Sequence, residues 1–535
     1  MSIAPDYIVV GGGSAGAVLA ARLSQSPTTR VALIEAGKDE RGIKLVMPLA
    51  FPQVMADKRF NWNYQGEEEP HANNRRLRQP RGKGLGGSSL INGMLYARGH
   101  ARDYDEWRQL GLAGWGYEDV LPFFKKSENH WGPEDHYHAK GGPLTISKHP
   151  ASMKLHPIFQ QTLENAGYRY VDDYHGAEQE GWSTPDLCVH QGTRGSTAAR
   201  FLDPAKRRPN LKIITGAHAT KIEIENGRAV AVHFDDATGP KRLTANREII
   251  LCGGAFNTPQ LLQLSGIGAG ADLRTHGIEV VHDLPGVGRN LQDHPSIGLM
   301  YGAQHEVTLN PDLRIDRMAV SVLRWITNQK GLIASLPVIA NGFVKTRPDL
   351  ERPDAQCLFQ PTTIFARLWG PLWRKHIEDT VAMACVHLRP ESRGWVKLAS
   401  ADPKQPPRIL TNVLSTEGDR AFFRRLIPQM RALMATAPLT DVLTGEKMPG
   451  ANVESDAEMD AWVRNAINTA MHPVGTCAMG PQSDPDAVCD EKLRVRGIQG
   501  LRIADASVMP RIVGGNTNAA CIMIGERAAD FIQQN

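Results

Sequence analysis

DYIVVGGGSAGAVLAARLSQ, residues 6–25, decides the fold. Tyr7 to Val10 form a short apolar run with β-branched residues, the composition of a buried strand. Gly11, Gly13 and Gly16 follow as GxGxxG. Val18, Leu19 and Leu23 then recur at helical spacing. The glycines therefore lie between a strand and a helix, which is the context this motif needs. They permit a tight turn and close approach of a pyrophosphate, and the helix N-terminus offers free N–H groups and a positive dipole end. RVALIEAG, residues 30–37, reads as the second strand and ends in Glu35, nineteen residues after Gly16. An acid there accepts hydrogen bonds from ribose hydroxyls and repels a 2′-phosphate. The unit predicts a dinucleotide site. By itself it does not separate NAD from FAD.

The bulk composition narrows the class. The chain has 535 residues, 41% hydrophobic and 22% charged, with 61 basic and 57 acidic side chains. That length buries a substantial core, and so balanced a charge argues against nucleic acid as a partner. The densest basic run, RRLRQPRGK at 75–83, reads as a solvated loop. Seven widely spaced cysteines without a CxxC fit reduced thiols better than a disulfide framework. No signal-peptide pattern and no apolar run of about 18 residues is present, so the expected location is cytoplasmic. Peripheral contact with the inner face of a membrane stays open, because interfacial binding needs no such run.

GKGLGGSSLINGMLYARG, residues 82–99, holds six glycines and a serine pair before Asn92. So many small residues let a backbone run against a flat ligand. The apolar positions Leu85, Leu90, Ile91 and Met94 favour a packed cradle over a flexible loop. With the N-terminus, this stretch resembles the glucose–methanol–choline (GMC) oxidoreductase family. Residues 82–92 fit its first signature, G-[KR]-x-L-G-G-[ST]-[ST]-x-[LIVM]-N. GAFNTPQLLQLSGIG, 254–268, fits the second. RGHARDYDEW (98–107), YHAKGGPL (137–144) and LRIADASVMP (501–510) resemble further family segments, so the likeness spans nearly the whole chain.

The resemblance implies an α/β protein (α+β overall) that binds FAD. Its discontinuous Rossmann-like FAD domain is expected at 1–160, 210–305 and 462–535. A substrate domain of antiparallel sheet and helices is expected at 161–209 and 306–461. The resemblance sets the cofactor against Gly11, Gly13, Ser14, Ala15, Gly16, Glu35 and Ala36, then Gly84, Leu85, Ser89, Asn92, Gly93 and Met94. Ala219 would lie by the adenine, and Asp505, Ala506, Asn516 and Thr517 near the pyrophosphate, ribityl chain and flavin. Two departures matter. Where some members carry a histidine that bonds to the flavin, this chain has Ile91, so FAD is expected to be non-covalent. Where choline-oxidising relatives resemble E-A-G-G-F, this chain reads IANGF, 339–343. Ile339 replaces the acid suited to a quaternary ammonium, which favours an uncharged alcohol, although aromatic cages also hold such cations.

MHPVGTCAMG, residues 471–480, carries the chemistry. His472 has only Cys477 nearby, at no usual zinc spacing, and HWGPEDHYH (130–138) reads as a polar loop of irregular His spacing, so no metal is expected. Packing-type neighbours argue against Cys477 as a nucleophile. HPVGTCAMG resembles the family's HPxGTxxMG, whose histidine faces the flavin, and GGNTNAAC (514–521) resembles the matching second position, here Asn516. Imidazole is the side chain best tuned to accept a hydroxyl proton near neutral pH. An amide donates to the oxygen as alkoxide character develops.

The expected activity is FAD-dependent oxidation of a primary alcohol to an aldehyde, with His472 as base and Asn516 as orienter. The expected partners are an alcohol such as an aliphatic alcohol or polyethylene glycol and a quinone-like electron acceptor. An oxidase using O₂, a choline dehydrogenase and a FAD-containing lyase are the alternatives. The aromatic segment 301–380, with Trp325, Phe343, Phe359, Phe365, Trp369 and Trp373, reads either as core or as a substrate mouth or membrane-touching patch.

Overall fold

The computed structural model describes residues 4–40, 42–363 and 366–534; Phe365 lies outside them. Five strands form one parallel sheet: β1 (Tyr7–Val10), β2 (Val31–Glu35), β3 (Leu211–Thr215), β4 (Glu248–Leu251) and β5 (Leu501–Ile503). Their order is β3-β2-β1-β4-β5, assembled from three distant parts of the chain. Every residue of β1 and β2 is buried, as a sheet covered on both faces requires. The first helix, Ser14–Leu23, lies against the C-terminal helix, Asn518–Gln533. They pack so closely that a Cβ on Gly525 would sit 2.6 Å from the Ala15 carbonyl oxygen. Buried Glu526 pairs with Arg22 at 2.7 Å across the contact. The mixed α/β architecture expected from the GxGxxG unit is present.

The stretch 211–234 folds as strands around a tight turn, as the sequence predicts. His218–Glu225 and Arg228–Asp236 pair antiparallel. Asn226 and Gly227 both take positive φ (49° and 75°), the backbone that an Asn-Gly hairpin turn supplies.

The second layer is a seven-stranded antiparallel sheet. Its order is Leu443–Met448, Pro295–Ala303, Thr380–His387, Ala355–Gln360, Ala340–Val344 and Gly181–Ser183, with Asn468–Thr469 beside Pro295–Ala303. Period-two alternation splits each strand between two environments. Cys357, Phe359, Met383 and Cys385 face a core shared with the helix Glu417–Met434. Gln356, Leu358, Ala384 and Val386 face a cavity between the two sheets. One face thus holds the domain together while the other shapes a site.

Gly11 is where β1 turns into the first helix. Its φ is 108°, and a Cβ there would meet the Cys252 carbonyl oxygen at 2.4 Å. Gly11→Ala combines left-handed strain with a backbone clash, each costing about 1–3 kcal/mol. We expect a lower urea midpoint and loss of bound flavin; a variant as stable and as yellow as wild type would contradict this turn.

Candidate active site

A cavity of about 520 Å³ runs between the two layers. At one end Glu35 and Ala36, from the tip of β2, lie beside Ala219, His218 and Trp62. The ring of Trp62 meets His218 edge-on at 5.5 Å. Gly11, Gly13, Ser14 and Ala15 line the middle, with Asp505 and Ala506. Asn92, Gly93 and Met94 lie further along the wall, and His472, Asn516 and Thr517 mark the other end.

Four residues expected at the cofactor do not line the cavity. Gly16 is needed where the first helix crosses β1, since a Cβ would sit 2.0 Å from the Gly11 carbonyl oxygen. Leu85 is buried in the main core. The Ser89 hydroxyl donates to the Gly86 carbonyl at 2.6 Å. Gly84 donates its N–H to Glu35 at 3.0 Å. These residues hold the wall in place. Glu35 itself is more engaged than a ribose acceptor need be. Its carboxylate accepts from the backbone N–H of Gly12 (2.8 Å), Gly37 (2.8 Å) and Gly84 (3.0 Å). Burial pushes its pKa up, and those three donors oppose the shift. Asp505 is likewise saturated: one oxygen accepts from the Gly254 N–H and Thr258 hydroxyl, the other from the Ser507 N–H and hydroxyl.

The shape and donor chemistry fit FAD. No side chain caps the first helix, so its leading N–H groups are left for an anion. A Cβ on Gly13 would meet nothing closer than 3.9 Å, whereas one on Gly87 would strike the Gly13 Cα at 2.7 Å. The two glycine loops therefore touch backbone to backbone and leave room on the cavity side. Ile91 reaches the wall with hydrocarbon alone, so no covalent flavin link can form through it.

At the far end a hydrogen-bonded chain sets the histidine. The Gln356 amide donates to Asn341 Oδ1 (3.0 Å) and Asn516 Oδ1 (3.2 Å). That fixes the Asn516 amide with Nδ2 toward His472 Nε2, 3.2 Å away. His472 Nε2 is then an acceptor, and its proton sits on Nδ1, 3.0 Å from His294 Nδ1. The His472 backbone N–H donates to Asp293 Oδ1 at 2.7 Å. Arg81 donates to the neighbouring Met471 carbonyl at 2.5 Å. Burial, with Arg81 adding, lowers the His472 pKa to about 3. The ring is a neutral acceptor whose unprotonated nitrogen is paired with an amide donor. A hydroxyl placed between them would meet both a proton acceptor and a hydrogen-bond donor.

Arg81, Asp293, His294 and Gln356 were missed in the sequence. Arg81 closes the basic run 75–83, whose first part, Arg75–Gln79, is a hairpin strand and not a loop. The signal for Asp293 and His294 was the Asp-His-Pro at 293–295, which parallels His472-Pro473.

Cys477 is fully buried with its thiol pushed well above the usual value, consistent with packing. His130 and His138 are buried, which corrects the polar-loop reading. Their rings stack at 3.6 Å and 13°, so their in-plane lone pairs run side by side and do not converge on an ion. Burial opposes charge on His138, but its hydrogen bonds to the Asp173 and Glu128 carboxylates outweigh it and raise its pKa to about 9.

The cavity and its two ends define a flavin-dependent oxidoreductase acting on CH–OH donors. Family models described as GMC oxidoreductase match residues 5–296 and 390–525. The chain is 41% identical over 533 residues to the oxygen-dependent choline dehydrogenase of Sinorhizobium fredii, covering 98% of this chain and 95% of that one. It is 40% identical to the mitochondrial choline dehydrogenase of Mus musculus, covering 98% and 89%. Among solved structures, pyridoxine 4-oxidase from Mesorbium loti superposes with a TM-score of 0.89 at 30% identity, covering 99% of each chain. Formate oxidase from Aspergillus oryzae, described with its FAD, gives 0.91 at 27%, covering 99% and 98%. The chain belongs to the GMC oxidoreductase family, and FAD is its cofactor.

Burial raises Asp293 to about 6, with Arg81 opposing. His472, at about 3, stays neutral from pH 5 to 9. Protonation of Asp293 beside the His472 backbone is expected to lower flavin reduction as pH falls through about 6. Asp293→Asn should abolish that acid limb; an unchanged limb would contradict this role for Asp293.

Proposed function

We propose that the protein oxidises an uncharged primary alcohol to the aldehyde and passes the electrons to a quinone-like acceptor. FAD, when bound, accepts the hydride. The protein's own part is positional. Asn516 Nδ2 holds the substrate oxygen and stabilises alkoxide character as it develops. His472 Nε2 takes the hydroxyl proton, and His294 and Gln356 keep both groups aimed. The apolar wall of Leu358, Ala384 and Val386 excludes water, which strengthens each of these interactions.

One observation carries the uncharged substrate. The wall near His472 offers Ser296, Gln356 and hydrocarbon, and the described acids lining the cavity are Glu35, held by three backbone N–H groups, and Asp505, which accepts four hydrogen bonds. Arg81 adds a cation beside the histidine. A trimethylammonium head would therefore be buried without a counter-charge. Ile339, at the position that departs from E-A-G-G-F, is buried away from the cavity lining.

Choline is the second reading, and the comparisons favour it over any particular uncharged alcohol: the curated relatives at 39–41% identity are choline dehydrogenases. They give polyethylene glycol no support, so it stands only as one uncharged candidate.

Anaerobic addition of short alkanols, benzyl alcohol, long polyethers and choline to the yellow holoenzyme separates the readings. An uncharged alcohol should bleach the flavin on the order of a hundredfold faster than choline, because an unpaired buried charge costs several kcal/mol. Choline as the fastest reductant would overturn this proposal in favour of the second. On readmitting air the colour should return slowly; rapid return would make O₂ the acceptor.

A further inference from the structure

The helix Ile315–Asn328 is apolar on two faces. Met318 and Trp325 turn inward and pack with Met47, Leu309, Leu313 and Ile333. On the outer side Ile315, Val320, Leu323 and Ile326 are each at least half exposed. A surface helix normally presents polar residues there. Next to its start lies the turn 370–374: Ile315 donates its N–H to the Trp369 carbonyl, and a Cβ on Gly370 would meet Ile315 Cγ2 at 3.2 Å. Leu372 at the tip is fully exposed, and Trp373 is 60% exposed. Of the eleven large hydrophobic side chains exposed among the described residues, six come from these two neighbouring segments, and Leu368 lies just before the turn. Of the aromatic residues in 301–380, Phe343 and Phe359 are core and Trp325 belongs to the inner face of this helix; the expected outward patch is built instead from aliphatic residues and Trp373.

The charges beside the patch select its occupant. Arg317, Arg324, Lys330, Arg367, Arg374 and Lys375 are exposed, and among the described residues none makes an ion pair with an acid. Nearby acids are already engaged: both Asp316 oxygens accept from Arg314 at 2.6 Å, Glu378 pairs with Lys447 at 2.6 Å, and Asp379 holds His305. Among the described residues Asp312 and Glu306 remain there as exposed acids. A second copy seated on the same patch would set these cations against their equivalents, because a two-fold contact pairs a surface with itself. A bilayer with anionic headgroups fits both features. Leucine, isoleucine and tryptophan enter the acyl boundary, while lysine and arginine stems extend to the phosphates.

We infer that the helix 315–328 and the turn 370–374 form a docking surface for an anionic membrane. This surface sits one packing layer from the active-site cavity. Its helix rests on Met47, Leu49 and Ala50, and the next residue, Phe51, lines the cavity. Docking would bring membrane-dissolved alcohol and acceptor to that wall. The inference rests on surface chemistry and is independent of which alcohol is oxidised. No helix among the described residues is long and apolar enough to cross a membrane, so the contact is interfacial.

Flotation of the holoenzyme with vesicles tests it. Wild type should float with vesicles of phosphatidylcholine containing one-third phosphatidylglycerol. Binding should fall roughly tenfold with pure phosphatidylcholine or high salt. Leu323→Glu combined with Leu372→Glu should weaken binding by at least about tenfold and leave flavin content and alcohol bleaching unchanged. A separate readout is the tryptophan emission, which should shift to the blue on adding anionic vesicles, the shift being reduced in Trp373→Phe. Failure of wild type to float, equal flotation of the double variant, or lipid-free dimerisation abolished by the same substitutions would each overturn the inference.

Discussion

One buried carboxylate ties the cofactor end of the molecule together. Glu35, at the tip of β2, accepts N–H bonds from Gly12, Gly37 and Gly84. Those glycines belong to the first strand–helix turn, the end of the second strand and the signature loop. Hydrogen bonds to a charged acceptor each contribute about 1.5–3 kcal/mol, and together they oppose part of the cost of burying the acid. The Gly86 N–H donating to the Gly12 carbonyl at 2.7 Å closes the same junction. Backbones meet so closely there that Gly11, Gly16 and Gly87 have no room for a side chain. The glycines are thus demanded as much by the packing of one loop on another as by the ligand.

The opposite end depends on a different constraint. Strand alternation sends Gln356 into the cavity while its neighbours Ala355 and Cys357 enter the core. Gln356 sets the Asn516 amide, Asn516 and His294 set the His472 tautomer, and Asp293 and Arg81 together fix the Met471–His472 peptide. Apart from the adjacent Asp293 and His294, each member of this chain comes from a different segment. The setting of His472 is therefore an outcome of the whole tertiary structure, and its lowered pKa follows from burial.

Much of this was legible in the sequence wherever chemistry is local. The GxGxxG turn, the Asn-Gly hairpin, the glycine-rich cradle and the His472–Asn516 pair all declare themselves through residue type and spacing, because turns and helix starts have short-range requirements. What escaped was set by distance. Arg81 looked like part of a solvated basic run, since nothing local reveals that its hairpin ends against Met471. His130 and His138 looked polar and exposed, yet Glu128 and Asp173 satisfy His138 inside the protein. Gln356 sat unnoticed in an apolar strand. Gly84 and Ser89 were read as ligand contacts because their motif borders the cofactor, whereas their bonds run to Glu35 and Gly86.

The most direct test is the anaerobic rate of flavin bleaching by a good alcohol substrate in His472→Ala, compared with wild type at the same flavin content. Loss of a positioned general base should slow flavin reduction about 10²–10⁴-fold while FAD stays bound, because the residues expected at its phosphates and ribose, Gly11, Ser14 and Glu35, are distinct from His472. Reduction at the wild-type rate would contradict the account of this site.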